Sequence, residues 1–160
     1  MAIDRARLAL LAGLLLSACA SPQPARPTQT AYLRQTLDAK WLRWPPNDGF
    51  AATPVAETLA VGTLLDRFGS EGGRFFSPKG ESYNARALPY VCDTLVYTIY
   101  RVTKPLHVAA GKAAPWFDEP GGATQYETDD PVFKLRESGA LEPLPADAAA
   151  TPCATAASLH

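Results

Sequence analysis

The alternation of apolar and polar positions along the chain predicts a domain that is rich in β-structure. Residues 96–102 alternate and carry β-branched and aromatic side chains, which favours a strand. Two shorter strands, 63–68 and 74–77, are predicted around a glycine-rich turn, and 106–109 and 124–128 are further strand candidates. The strands therefore dominate the predicted core.

Helices are predicted only at the margins of these strands. Apolar residues recur at helical spacing within 32–41, which predicts a short amphipathic helix before the domain. Asp130 is a candidate N-cap, with Pro131 in the first helical position, and Gly139 can end that helix in the left-handed conformation. Strands first and helices at the periphery predict an α+β fold: a single small domain with a mostly antiparallel β-sheet core and peripheral helices.

The first residues have the pattern of a secretory signal peptide. Arg5 and Arg7 precede an apolar run at 8–16, which is too short to span a bilayer. The run ends in Leu-Ser-Ala-Cys, which resembles the lipobox of bacterial lipoproteins, with Cys19 as the residue that receives the lipid. Ordinary cleavage with an incidental Cys19 is the alternative. Acylated Cys19 would hold the chain on a lipid bilayer.

Composition sets the predicted boundaries of the 160-residue chain. A signal peptide at 1–18 is followed by the lipidated cysteine, a proline-rich spacer and the short helix at 19–42, a folded domain at 43–144, and a disordered tail rich in Ala and Pro at 145–160. The residue after the cysteine is Ala20, which resembles the pattern of lipoproteins that are sorted to the outer membrane. We therefore expect the domain in the periplasm or at the cell surface. The net charge of -1 argues against nucleic acid as a partner.

The remaining cysteines form one candidate pair. With Cys19 assigned to lipid, Cys92 and Cys153 are two thiols in an oxidising compartment, where a disulfide is favoured over two free thiols. Neither cysteine has further candidate metal ligands near it in the sequence, and the only histidines are His107 and His160, so we expect no metal site.

Four segments in order carry a resemblance to a known family. They are residues 44–50 (Trp-Pro-Pro-Asn-Asp-Gly-Phe), 66–78, 85–89 (Ala-Arg-Ala-Leu-Pro) and 114–126. Together they resemble the tuberculosis necrotizing toxin family, whose founding members are NAD glycohydrolases. The resemblance implies that NAD is the substrate, that no cofactor is needed, and that the domain at 43–144 cleaves NAD to nicotinamide and ADP-ribose. It also leaves room for an immunity protein that the sequence does not identify.

The resemblance implies that arginines bind the pyrophosphate of NAD. Guanidinium groups bind phosphate oxygens in a bidentate manner and remain charged. By resemblance, Arg67 and Arg86 line the NAD cleft, Arg86 also belongs to the catalytic group, and Arg74 is a third candidate. The alternative for Arg67 and Arg86 is an ordinary arginine on a surface strand.

The resemblance also implies that aromatic rings and a neutral amide contact the nicotinamide and its ribose. Phe75 is expected to stack on a ring of the substrate, and Phe50 and Trp116 are either further walls or core residues. Gln125 is the expected catalytic residue, since an amide can accept from a ribose hydroxyl or position water.

The glycines before Gln125 are implied to lie against the substrate. Gly121 and Gly122 would let the backbone approach it closely, and Ala123 replaces a third glycine of the family pattern. Thr98 stands where some members carry a histidine in the central strand, which predicts slower turnover or binding without hydrolysis.

Two alternatives to a hydrolase remain at this point. One is a catalytically weak NAD-binding or interaction module on the same fold. The other is an ADP-ribosyltransferase, suggested by Gln125-Tyr126-Glu127, because side chains two residues apart share one face of a strand.

Overall fold

The computed structural model describes residues 43–90, 92–145 and 153. The signal peptide at 1–18, Cys19, the spacer and the helix predicted within 32–41 lie outside the described residues, as does most of the tail at 145–160. Within the described part of the chain, no helix is long and apolar enough to cross a membrane.

The domain is built on a seven-stranded sheet in the order β1-β5-β6-β3-β2-β4-β7, in which every neighbouring pair is antiparallel. The strands are β1 (Val55–Leu59), β2 (Leu64–Phe68), β3 (Phe75–Pro78), β4 (Tyr97–Val102), β5 (Leu106–Lys112), β6 (Thr124–Glu127) and β7 (Leu141–Leu144), and a short helix, α1 (Val132–Glu137), precedes β7. The predicted α+β class with an antiparallel core is confirmed.

The five predicted strands are all present, with ends that differ by at most three residues from the prediction. Strands β1 and β7 were not predicted. Both lie at the edges of the sheet, and β7 contains Pro143, which is tolerated at an edge because no neighbouring strand needs its missing N–H.

The two faces of the sheet differ in chemistry because side chains alternate along each strand. The core face carries Leu65, Phe76 and Tyr100, which pack with Val132 and Leu135 of α1 in the hydrophobic core. The strand pairing places the neighbours of these residues on the other face, which we call the open face: Asp66, Phe68, Phe75, Tyr97 and Gln125.

Helix α1 begins one residue later than the sequence predicts. Its N-cap is Pro131, not Asp130, and no side chain caps it. Instead, the backbone N–H of Val132 donates to the carbonyl of Gly73 at 3.1 Å. The loop between β2 and β3 thus satisfies a helix-end donor that a capping side chain would otherwise satisfy.

The end of α1 agrees with the prediction. Gly139 has a φ of 67°, in the left-handed region that glycine adopts without cost. The N–H of Ala140 returns to the carbonyl of Leu135 at 2.8 Å, which completes a Schellman-type ending.

Cys92 and Cys153 form a disulfide in the structure, with Cα atoms 5.6 Å apart and a sequence separation of 61. Cys92 begins a 3-10 turn, Cys92–Thr94, in the connection to β4. The bond therefore ties position 153 to the connection that leads into β4.

Reduction of this disulfide should lower the free energy of unfolding by about 4 kcal/mol, because a closed loop of this length restricts the unfolded chain. Urea unfolding with and without dithiothreitol measures the effect. The Cys92→Ser/Cys153→Ser variant is the control and should be insensitive to the reductant. Equal midpoints for the oxidised and reduced parent protein would contradict the prediction.

Candidate active site

A cleft of about 280 Å³ opens where three loops meet the open face of the sheet. The loops supply residues from 44–49, 86–89 and 114–117, and strands β3 and β6 supply one residue each. The lining is mostly apolar: Trp44, Pro45, Asp48, Gly49, Phe75, Arg86, Ala87, Leu88, Pro89, Ala114, Trp116, Phe117 and Gln125. Three of the four segments that carried the family resemblance therefore form loops of one cleft.

All three loops contain non-glycine residues in the left-handed region of backbone space. Asn47 and Asp48 have φ values of 53° and 50°, Ala87 has 51°, and Phe117 and Asp118 have 52° and 60°. Each such residue costs free energy that the surrounding structure must offset, and these conformations concentrate at functional sites. Because all five lie in the loops around a single cleft, this cleft is the candidate functional site.

The side chain of Gln125 is held by the turn at the cleft mouth. Its Nε2 donates to the carbonyl oxygen of Asp48 at 3.0 Å. A Cβ atom on Gly49 would lie 3.7 Å from the same nitrogen, so the turn packs directly against the amide. Because Nε2 is committed to Asp48, Oε1 is the atom left to accept a hydrogen bond from a substrate or a water molecule.

Arg86 is fixed in the cleft wall by a buried ion pair. It ends a 3-10 turn, Asn84–Arg86, and its Nη2 lies 2.5 Å from Oδ1 of Asp66, with both side chains almost completely buried. Nε and Nη2 also donate to the carbonyl of Glu81, and the guanidinium carbon lies 5.2 Å from the centre of the Phe68 ring. Its Nη1 makes no hydrogen bond to the residues that the structure describes.

Asp66 and Tyr97 support Arg86 from behind, and sequence reasoning missed both. Oδ2 of Asp66 accepts hydrogen bonds from the Tyr97 hydroxyl at 2.7 Å and from the Gly80 N–H at 2.9 Å. Burial and the hydrogen bond to the carboxylate raise the pKa of Tyr97, so the phenol remains a donor. The available signal was a carboxylate inside an apolar strand, since a buried acid needs partners.

The aromatic candidates divide into lining and core residues. Phe75 lines the cleft from β3, and Trp116 lines it from the third loop. Phe50 does not line it: its side chain is buried, and a Cβ atom on Gly111 would lie 2.8 Å from its ring. Phe50 is therefore a core residue that supports the turn beside Asp48.

Arg74 and Glu127 form an ion pair beside the cleft. The Arg74 Nη2 and Glu127 Oε1 atoms are 2.6 Å apart, and neither residue lines the cleft. Burial raises the pKa of Glu127, and Arg74 opposes that shift. Although Glu127 shares the strand face of Gln125, as predicted, its carboxylate is occupied by Arg74.

Arg67 is not brought into the cleft, contrary to the sequence expectation. Strand alternation places it on the core face, where its guanidinium carbon lies 5.7 Å from the Phe76 ring centre. Its Nη2 donates to the Phe68 carbonyl at 3.4 Å. Nε and Nη1 are buried without a partner among the described residues, and burial lowers the pKa of this guanidinium.

Thr98 lies on the same side as Arg67. The two residues are directly opposite each other in the pairing of β4 with β2, so Thr98 belongs to the core face, away from the cleft. The departure from the family histidine therefore falls outside the cleft lining.

Gly121 and Gly122 shape the cleft from outside and do not line it. The N–H of Gly122 donates to the Ala113 carbonyl at 2.8 Å. A Cβ atom on Gly121 would lie 2.6 Å from the backbone of Ala114 and Pro115. The glycines were expected to let the backbone approach the substrate. Instead, they let the chain pack closely against the third loop, which carries Ala114 and Trp116 into the cleft.

Gly121→Ala should therefore be more destabilising than Gly122→Ala. Both residues have positive φ, 66° and 93°, but a Cβ on Gly122 would meet nothing within 4 Å. The Gly122 variant should lose about 1–2 kcal/mol of unfolding free energy because of its backbone conformation alone. The Gly121 variant should lose at least about 1 kcal/mol more because its methyl group crowds the third loop. Denaturant unfolding of the two variants measures the difference; equal losses would contradict this role for Gly121.

The model of the tuberculosis necrotizing toxin family matches residues 58–144, more than half of the chain. A conidial surface nicotinamide adenine dinucleotide glycohydrolase of Aspergillus fumigatus is 40% identical over an alignment of 114 residues, and the match covers 63% of this chain and 49% of that protein. The match thus spans about half the length of this relative.

A solved structure also resembles the fold. Tuberculosis necrotizing toxin in complex with its immunity factor matches with a TM-score of 0.54 and 24% identity, covering 64% of this chain and 61% of that one. This likeness concerns the fold, and the match of the family model concerns the sequence itself. The chain therefore belongs to the tuberculosis necrotizing toxin family.

Proposed function

We propose that the chain hydrolyses NAD to nicotinamide and ADP-ribose in the cleft described above. The observation that carries the proposal is the meeting of the Gln125 amide, the Arg86 guanidinium and the Phe75 ring in one mostly apolar cavity. The similarity to a fungal NAD glycohydrolase supports the same activity. A volume of about 280 Å³ is small for a ligand cleft, so we place the nicotinamide ribose inside and the adenosine half at the open mouth.

The reaction breaks the bond between the ribose carbon and the pyridinium nitrogen. The bonding electron pair stays on that nitrogen, so nicotinamide departs as a neutral molecule and no general acid is required. A water molecule adds to the oxocarbenium-like ribose and loses its proton to solvent, which yields ADP-ribose. The protein therefore has to bind, orient and support the positive ribose, without a pair of acidic residues of the glycosidase type.

Gln125 and Arg86 take different parts in this scheme. The Oε1 atom of Gln125 accepts from a ribose hydroxyl or from the attacking water, and its orientation is set by the Nε2 hydrogen bond to Asp48. Arg86 offers Nη1 to a phosphate oxygen, while Asp66 and Glu81 hold the remainder of the guanidinium. Phe75 supplies a ring against which the nicotinamide stacks.

The test is incubation of the purified chain with NAD labelled in the adenosine half. Release of free ADP-ribose and nicotinamide supports the proposal. Unchanged NAD would instead favour a binding module, and label attached to protein would favour an ADP-ribosyltransferase. Boiled protein is the control for spontaneous hydrolysis.

We further propose that the chain is an envelope lipoprotein, held on the outer membrane through acylated Cys19. The support is the lipobox-like sequence before Cys19 and the disulfide, which suits an oxidising compartment. Cys19→Ala should abolish palmitate labelling and move the protein from the detergent phase to the aqueous phase. A variant that still labels with palmitate would overturn this assignment.

An immunity protein that blocks the cleft is the partner we propose for such an activity. The support is membership of a toxin family, one member of which has been solved with its immunity factor. Production of residues 43–160 in a bacterial cytosol should deplete NAD and stop growth, and co-production of the partner should restore both. A partner that binds without restoring NAD would contradict this role.

A further inference from the structure

We propose that Trp44 is a second aromatic wall, which binds the positively charged pyridinium ring of the substrate together with Phe75. The inference rests on the proposed NAD hydrolysis and names a residue to which no role was assigned from the sequence. Trp44 and Phe75 both line the cleft, and the two residues are 60% and 39% exposed. Exposed aromatic rings at the mouth of a cleft indicate a binding surface.

The Trp44 ring is held in place although it is exposed. It meets Phe117 edge to face, with ring centres 5.8 Å apart and an interplanar angle of 87°. One residue earlier, the carbonyl of Arg43 accepts a hydrogen bond from Nε1 of Trp116 at 2.7 Å, and Pro45 follows. These contacts limit the freedom of the ring before a ligand binds, which lowers the entropic cost of binding.

The other aromatic rings of the cleft are less available. Phe117 is buried behind Trp44, in a backbone conformation with a φ of 52°. Trp116 uses its only polar atom to hold Arg43. Trp44 and Phe75 are therefore the most exposed aromatic residues of the cleft lining.

A cationic ring suits this surface better than a neutral one. The face of a tryptophan ring attracts a cation, and tryptophan does so more strongly than the other aromatic residues. The pyridinium of NAD is positive before the bond breaks, and nicotinamide is neutral afterwards. Trp44 should thus favour the bound substrate and let the product leave, so its removal should raise KM and should not lower kcat.

Trp44→Ala should accordingly raise KM for NAD about tenfold, with a kcat that is equal to or higher than that of the parent. Trp44→Phe should recover most of the loss. Phe133→Ala is the control, because Phe133 is also an exposed aromatic residue, at 42%, on α1 and outside the cleft lining. Steady-state release of nicotinamide from NAD measures all four proteins, and circular dichroism checks that they are folded.

A binding measurement separates this inference from the hydrolysis itself. By calorimetry, the full chain should bind the 1-methylnicotinamide cation more tightly than neutral nicotinamide, and Trp44→Ala should lose that preference. If the parent protein leaves NAD intact but shows this preference, the hydrolase proposal fails and the aromatic site stands. Unchanged KM in a folded Trp44→Ala, a loss confined to kcat, or the absence of a preference for the cation would each overturn the role of Trp44.

Discussion

Gln125→Ala should lower kcat for NAD hydrolysis by about two orders of magnitude or more, in a protein that remains folded. The amide is partly exposed in the cleft and its Nε2 reaches only the backbone carbonyl of Asp48, so its removal leaves no buried charge. In the proposed mechanism the loss falls on the rate, because Oε1 acts on the positive ribose or the attacking water of the transition state. KM should change little, since the ring and phosphate contacts remain.

The neighbouring strand residue provides the control for Gln125. Thr124 lies next to it in β6 but points to the other face of the sheet, where its hydroxyl oxygen accepts from Lys112 at 2.9 Å. Thr124→Ala should therefore keep the parental rate. Initial rates at saturating NAD give the comparison, with unfolding curves for both variants. A folded Gln125→Ala that turns over at the parental rate would remove Gln125 from the mechanism.

The central strands could be predicted from the sequence, whereas the edge strands could not. Residues 96–102 carry β-branched and aromatic side chains with alternation, and this pattern is visible in the chain itself. Strand β1 exposes four of its five residues, so burial imposes no alternation on its side chains. In β7, Pro143 argues against a strand until an edge position is known.

The face on which a residue lies was the main limit of sequence reasoning about the site. Asp66 and Arg67 are adjacent, so their side chains must point to opposite faces of β2. The sequence does not say which face carries the cleft, because that depends on pairing with β3 and β4. In the structure, Asp66 lies on the open face, where it holds Arg86, and Arg67 lies on the core face.

The cleft loops illustrate a second limit. Turn residues at 44–50 and 114–126 are recognisable from their Pro, Gly and Asp content. Their meeting around Gln125 is a tertiary event between segments far apart in sequence, and only the family resemblance pointed to it. The same distance in sequence explains why no role was predicted for Trp44: the ring that it contacts, Phe117, belongs to the other loop.

Asp66→Ala should cost about 3–5 kcal/mol of unfolding free energy, because it leaves the buried guanidinium of Arg86 without its counter-charge. The same change removes the acceptor of the Tyr97 hydroxyl and the Gly80 N–H. Glu142→Ala is the control: its ion pair with Arg101 spans 3.1 Å on the surface, with both side chains about half exposed. That variant should lose at most about 1 kcal/mol, since solvent screens the pair.

Urea unfolding of parent, Asp66→Ala, Arg86→Ala and the double variant completes the test. If the carboxylate acts mainly on Arg86, the losses of the single variants should be far from additive, because removing both partners leaves no unpaired charge. The double variant should then be more stable than Asp66→Ala alone, apart from the cavity that two truncated side chains leave. A loss below about 1 kcal/mol for Asp66→Ala, or strict additivity, would mean that Arg86 is held by Glu81 and the Phe68 ring, and the support of the cleft would have to be assigned to those contacts.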